Sequence, residues 1–455
     1  MQKMLLFKIL AILGLTGLIC MPLSMIEHTI QERSEFRSEA VASIAADSVR
    51  EQTLIGPILI LPYTDDYSET RTGTDGKTEV VSQSVQRQKF IFPNELRVEG
   101  KIDLDKRYRG IHQVLVYSGE HKIDGDFVLP VADDLPRANA TSKLRFGKPR
   151  IALGIEDVRG IRNVPDVDVD GVKVRFEQGS GLGALPTGLH AKLTPFALTE
   201  AATIKFAFRL GLDGIERQHF VPVGNNNTVT IASPWPHPQF SGRFLPSPRT
   251  RTIGPDGFKA TWAISSLSTS AQQQILERES AAAKEAGYGG IDRFSVGFIE
   301  PVNVYSLAER ATKYGVLFVA LTFAAFFMFE ILKRLPIHPV QYLLVGLALA
   351  LFFLLLVSLS EHIAFAQAYL AAGAACIALL GFYLSYVLRD WRRGVGFATG
   401  LTMLYGALYG LLMSENNALA MGSLLLFVLL AAVMVATRKV DWYQIGRADP
   451  VPETA

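Results

Sequence analysis

Two apolar runs of spanning length, separated by a short basic turn, occupy Tyr314 to His362. They read YGVLFVALTFAAFFMFEIL, then KRLPIHP, then VQYLLVGLALALFFLLLVSLS and EH. A bilayer core about 30 Å thick takes ~20 helical residues, and a helix satisfies its backbone groups within a single crossing. The stretch predicts a helical hairpin that enters a membrane, turns on one side and leaves. Lys333 and Arg334 mark the turn as cytoplasmic, whereas Glu361-His362 carries no Lys or Arg. The chain upstream then arrives from the opposite side.

Apolar residues are unevenly spread. Residues 335 to 388 hold no Lys or Arg, while 27 to 313 read as a mixed soluble domain. At 455 residues the chain suggests more than one unit; its net charge of +2 argues neither for nor against nucleic acid, and no nucleic-acid partner is expected. Both cysteines, Cys20 and Cys376, lie in apolar runs, so the polar region needs no disulfide.

Lys3 and Lys8 precede an uncharged run from Ile9 to Ile26. No small-x-small site follows it, and Ile19 stands before Cys20 where lipoprotein processing expects a small residue. An uncleaved transmembrane anchor over 1–26 is expected, followed by a helical stalk over 27–52 in which Val41, Ile44, Ala45 and Val49 share a face.

Glu27 to Thr312, 286 residues, is long enough for a sizeable core. From Leu54 on the signal is mostly period-2: PILILP is a short apolar strand ended by Pro62, and further strands are expected around Gln88–Phe92, Arg97–Leu104, His112–Tyr117, Lys122–Leu129, Arg150–Ile155, Thr203–Leu210, Thr228–Ile231 and Lys259–Ile264. Turn residues between them predict an antiparallel, sandwich-like β domain. DDYSETRTGTDGK, from Asp65 to Lys77, is expected to be a loop and Ala271 to Ala286 one inserted helix.

Asp166, Asp168, Asp170, Gly171 and Glu177 in DVDVDGVKVRFE match the spacing of a calcium loop. Pro165 and the lack of flanking helices oppose it, and Lys173 and Arg175 have no place in it. A hairpin turning on Asp170-Gly171 places every residue, with Val169 facing Val172 and Asp168 facing Lys173. GSGLG, Gly179 to Gly183, lacks the following helix that a phosphate cradle needs and reads as a loop. His112, His121, His190, His219 and His237 are too scattered for a zinc site. No catalytic residue, cofactor or metal is assigned.

SPWPHPQFSGRFLPSPR, from Ser233, is proline-rich and has two readings. It is a presented loop with Trp235, Phe240 and Phe244 as partner contacts, or an extended segment wrapping the core.

Ile363–Leu388, Val395–Ser414 and Ala418–Thr437 complete the membrane block over 313–437, with 438–455 as a cytoplasmic tail. Inward turns and ends hold ten Lys/Arg and the two short outward turns none, giving six spans with both termini inside. Gly396, Gly400, Gly406 and Gly410 predict close helix packing, within the bundle or against a copy. Glu330 is the acid within a run; a snorkelled pair with Lys333 and Arg334 and a possible proton relay are its two readings.

GPILILP at 56, EDVRGI at 156, WPHPQFSGRFLP at 235 and GFKATW at 257 stand out together with the membrane stretches ATKYGVLFVALTFAAFFMFE at 311 and HPVQYLLVGLALALFFLLLVSLSEH at 338 and with DWY at 441. In these stretches the chain resembles the CreD inner-membrane proteins, also called cell envelope integrity proteins. The resemblance implies an inner-membrane protein with a large periplasmic domain, expression tied to the CreBC two-component system in some Gram-negative bacteria, and a role in envelope integrity. The expected class is a polytopic α-helical membrane protein with six transmembrane helices and a mainly antiparallel β periplasmic domain. Its partners would be inner-membrane lipid and an envelope or membrane protein. A transporter or a handler of lipid or envelope precursors is the alternative.

Overall fold

The computed structural model describes residues 2–72, 78–110, 112–196, 198–279, 290–298, 304–333, 337–388, 390–414 and 418–438. Arg334, Arg389, the turn at 415–417 and the tail from 439 lie outside these, as does the side chain of Lys333. Contacts divide the chain into a β unit, Glu39–Pro301, and a helical unit made of Met1–Ser38 and Val302–Ala455.

Helix α1 (Gln2–Asp47) supplies its last turns to the β unit. There Ala40, Ile44 and Val49 are buried, and Arg159 donates to the carbonyls of Ala45 and Ala46. A cation against the last carbonyls of a helix is favoured by its dipole.

The β unit holds two mixed sheets. The strands in chain order are β1 (Gln52–Thr72), β2 (Thr78–Ile91), β3 (Glu95–Arg109), β4 (His112–Leu129), β5 (Lys143–Phe146) and β6 (Arg150–Ile155). They continue with β7 (Asp166–Val169), β8 (Val172–Arg175), β9 (Glu177–Gln178), β10 (Gly188–Lys192), β11 (Ala202–Ile215) and β12 (Arg217–Val221). β13 (Asn226–Ser233), β14 (Pro238–Gly242), β15 (Arg251–Gly254), β16 (Gly257–Ser265), helix α2 (Ala271–Glu279) and β17 (Phe294–Phe298) complete the unit. The first sheet runs β14-β17-β12-β1-β6-β10-β9, with β2 and β5 also on β1. The second runs β15-β16-β13-β3-β4-β11-β7-β8. Most pairs are antiparallel; β1 with β12 and β3 with β13 are parallel. Alternation puts Leu96, Val98, Ile102, Ile123, Phe127, Phe206 and Phe208 in one core with Ile58, Ile60, Phe220, Phe294 and Val296 of the first sheet.

Asp65 to Thr72 is strand and not loop. It pairs with Thr78–Val85 as the distal half of the β1–β2 hairpin, and only 73–77 fall outside the described residues. The residues at 67–71 and 79–86 are polar except for Val80, which is exposed, and Val81 and Val85, which are half-buried, so the sustained apolar alternation that marks a strand on a core is missing there.

The helical unit contains the first 38 residues of the chain, α3 (Val304–Lys313), α4 (Gly315–Lys333), α5 (Pro339–Ser360), α6 (Phe365–Val387), α7 (Trp391–Met413) and α8 (Ala418–Thr437). Among the described residues α1, α5, α6 and α7 contain spans long and apolar enough to cross a membrane. The pair α3 and α4, bent by 42°, makes a fifth if it is one span. α8 is a further 20 residues without a charge. The outside domain is expected to end at Thr312; contacts group α3 with the helical unit, which resumes at Val302. The reason is the stripe of Leu307, Ala308 and Ala311, which buries α3 against α5. Gly346 lets α1 reach α5: a Cβ there would lie 2.8 Å from both Ile19 and Phe323. Phe352 and Phe318 set their rings edge-on to Tyr405 at 4.6 and 4.7 Å, joining α4, α5 and α7.

Candidate functional site

Glu330 lies in the last turn of α4 and is 6% exposed. Lys8 of α1 forms an ion pair with one carboxylate oxygen, and the Tyr342 hydroxyl of α5 donates to the other at 2.9 Å. Three helices therefore meet on one charge. At the other end of the same helices, Glu361 takes Arg33 of α1 at 3.7 Å and the Tyr305 hydroxyl of α3 at 3.3 Å. α1 is thus fastened to the α4–α5 hairpin twice, once at each end. The pairing of Glu330 with Lys8 spans 322 positions in sequence. Depth was the available signal, since both residues lie near the same end of an apolar run.

In the β unit, Glu51, His219 and Ser295 come into line. His219 Nδ1 is 2.5 Å from Ser295 Oγ, and its Nε2 is 3.1 Å from a Glu51 oxygen. The hydrogen bond from His219 holds the Glu51 carboxyl below its ordinary range. Acid, imidazole and hydroxyl are the groups of a nucleophilic triad. The Ser295 hydroxyl, however, belongs to a residue 3% exposed in the interior of a sheet, flanked by β12 and β14. A nucleophile must reach a substrate, and this one is covered; the trio ties the start of β1 to β12 and β17.

The acid-rich stretch forms the β7–β8 hairpin, with Asp166 opposite Arg175, Val167 opposite Val174, Asp168 opposite Lys173 and Val169 opposite Val172. Asp170 (φ 50°) and Gly171 (φ 85°) adopt the left-handed conformations that a two-residue turn requires. The carboxylates are separately engaged. Asp168 accepts from the Gly171 amide at 2.8 Å, Asp170 from the Lys205 amide at 2.9 Å, and Glu177 pairs with Lys192 at 2.5 Å. Among the described residues no group of three or more His, Cys, Asp or Glu is arranged to hold a metal ion. In the GSGLG loop the Gly183 and Ala184 amides donate to Glu279 at 2.6 and 3.3 Å, so the chain's own carboxylate fills that cradle. Burial raises the Glu279 carboxyl above its ordinary range against the pull of those two amides.

Trp235, Phe240 and Phe244 are half-buried and pack against the core. Phe240 sets its ring edge-on to Phe258 and Trp262 at 5.7 and 5.4 Å, and the Trp262 indole donates to the Phe244 carbonyl. Gly396, Gly400 and Gly406 have nothing among the described atoms within 4 Å of an added Cβ, and Gly410 has only Met421 at 3.7 Å. The tight approach of α7 to α6 comes instead at Gly394, whose Cβ would meet Ser385 at 2.8 Å.

An apolar helical unit carrying a large β unit of two mixed sheets defines a membrane protein with an extramembrane domain. The chain belongs to the CreD family: the family model described as inner membrane protein CreD matches residues 4–443. It is similar to inner membrane protein CreD of Escherichia coli (strain K12), with 34% identity over 447 residues covering 97% of this chain and 95% of that protein.

Proposed function

We propose that this chain is an inner-membrane protein of six spans with both termini cytoplasmic. Its β unit lies in the periplasm, where it engages an envelope component and supports envelope integrity without catalysing a reaction. The carrying observation is the double fastening of α1 to the α4–α5 hairpin, at Glu330 and at Glu361. The pairing of Lys8 with Glu330 in the last turn of α4 supports an N-terminus on the same side as the α4–α5 connection. The Lys/Arg distribution supports the same end as cytoplasmic. Both oxygens of Glu330 are engaged, which supports an anchoring role for this acid over a proton relay.

A phosphatase reporter placed in residues 73–77 tests the topology, and a chromosomal deletion tests the role. Activity of the reporter on the periplasmic side, with raised detergent sensitivity of the deletion strain, is expected. A reporter active only in the cytosol, or a deletion strain with an unchanged barrier under inducing conditions, overturns the reading.

A further inference from the structure

The outward face of the second sheet carries a hollow of about 940 Å³. Two registered rows cross it. One runs Lys259, Ala232, Lys101, Glu120, Gly211; the other runs Thr261, Thr230, Glu99, Lys122, Arg209. Alternating charge is the ordinary arrangement on a solvated sheet face, because like charges directly opposite each other are unfavourable. Here Lys122 and Arg209 stand directly opposite. Lys101 and Lys259 flank Ala232, whose small side chain leaves the space between them open. Arg162 adds a further cation at the rim. Gly211 makes room for it, since a Cβ at Gly211 would meet Asn163 at 2.8 Å and Arg162 at 3.3 Å.

The lining therefore holds five cations against two acids, Glu99 and Glu120. Arg162 is held by Asp213 at 3.1 Å and Glu120 at 3.6 Å, and Lys122 leans on Asp124 at 3.8 Å. Among the described residues Lys101, Arg209 and Lys259 have no ion-pair partner. Strands lie about 4.8 Å apart, so Lys101 and Lys259, two strands apart across Ala232, stand roughly 10 Å from each other, and the centre of that pair lies roughly 12 Å across the strands from the centre of Lys122 and Arg209. Thr230 and Asn163 place neutral hydrogen-bonding groups among them.

We propose that this hollow binds a linear, water-soluble polymer bearing repeated phosphate or carboxylate groups, one anionic group seated at each cationic group. A recess of this size receives a polymer strand, whereas the flat face of a bilayer does not enter it. The inference deepens the proposed function by assigning the envelope component a chemistry, and it depends on that reading for its biological setting.

The test uses the full-length chain in nanodiscs of neutral phosphatidylcholine, titrated with fluorescent linear polyphosphate and, separately, polygalacturonate. Micromolar or tighter binding that weakens with salt is expected for at least one polymer, and the preferred polymer identifies the anion. Lys101→Gln/Lys259→Gln and Lys122→Gln/Arg209→Gln should each weaken binding at least tenfold. Their melting temperatures should be unchanged or raised, because all four side chains are exposed and Lys122 and Arg209 are like charges directly opposite each other. Equal affinity in the parent and both double variants overturns the proposal. So does binding confined to discs containing phosphatidylglycerol with none to either polymer. If the polymers fail while crosslinkers placed near Trp235 capture an envelope component, only this inference falls. If the deletion strain keeps its barrier, the wider reading falls with it.

Discussion

Tyr342, one turn into α5, donates its hydroxyl to Glu330 at 2.9 Å while Lys8 pairs with the second oxygen of the same carboxylate. Removing one member of a buried pair leaves its partner without compensation, and the loss is typically about 3–5 kcal/mol before discounting for exposure. Lys8 is 43% exposed, so a smaller effect of about 1–2 kcal/mol is expected for Glu330→Ala. Replacing both charges, as Lys8→Met with Glu330→Ala, should recover most of it. Melting curves of the four proteins of this cycle in detergent measure the coupling, and additive losses would remove the fastening role.

His121 is buried at 1% exposure against Phe220 of the first sheet. Burial lowers its pKa from 6.5 to about 4, only partly offset by the Gln218 amide oxygen, 3.2 Å from its Nε2, which accepts from the protonated ring. Between those two values the unfolded chain binds the proton and the folded one does not. Stability is therefore lost as pH falls from 6.5 toward 4, by about 3 kcal/mol over the full window. Thermal melts across that range should show a shallower fall for His121→Gln. An identical slope would assign the acid sensitivity to other groups.

Millimolar calcium should leave the melting temperature unchanged, because the carboxylates of Asp168, Asp170 and Glu177 already accept from the chain itself. Asp170→Ala should lower stability by about 1 kcal/mol through loss of the Lys205 amide bond. A calcium-dependent rise in melting temperature would contradict this account.

Gly394 and Gly400 lie on one helix and should respond oppositely to alanine. At 394 the new methyl meets the Ser385 backbone at 2.8 Å, so the α6–α7 contact must open, at a loss of about 1–3 kcal/mol. At 400 nothing described lies within 4 Å, and alanine's better helix propensity applies, a gain of up to about 1 kcal/mol in an aqueous helix. If Gly400→Ala changes the oligomeric state instead, measured by light scattering in detergent, the exposed face of α7 meets a second copy.

Local chemistry was readable from the residues and long-range company was not. The hairpin at 166–175 announces itself because Asp170-Gly171 and four flanking valines specify turn and register together. The distal β1–β2 ribbon does not, because its apolar residues are too few to make the pattern that strands leave in sequence. The apolar helices were legible from length and charge. The Lys8–Glu330 pair required a third dimension, as did the meeting of Glu51, His219 and Ser295 from three separate strands or strand ends. Lone charges mark where such meetings happen without naming the partner.

Among the described residues β17 is the last strand in the unit, yet it lies inside its sheet, between β12 and β14. A chain emerging from the ribosome reaches Phe294 only after the sixteen earlier strands described above. Until then β14 has no neighbour to pair with and β12 is bare along one side. Assembly of this sheet is thus held open to its final moments and sealed by the segment just upstream of the first α3 residue. A nascent polypeptide stalled before that point would present two adhesive edges, so such fragments should be substrates for chaperones and proteases.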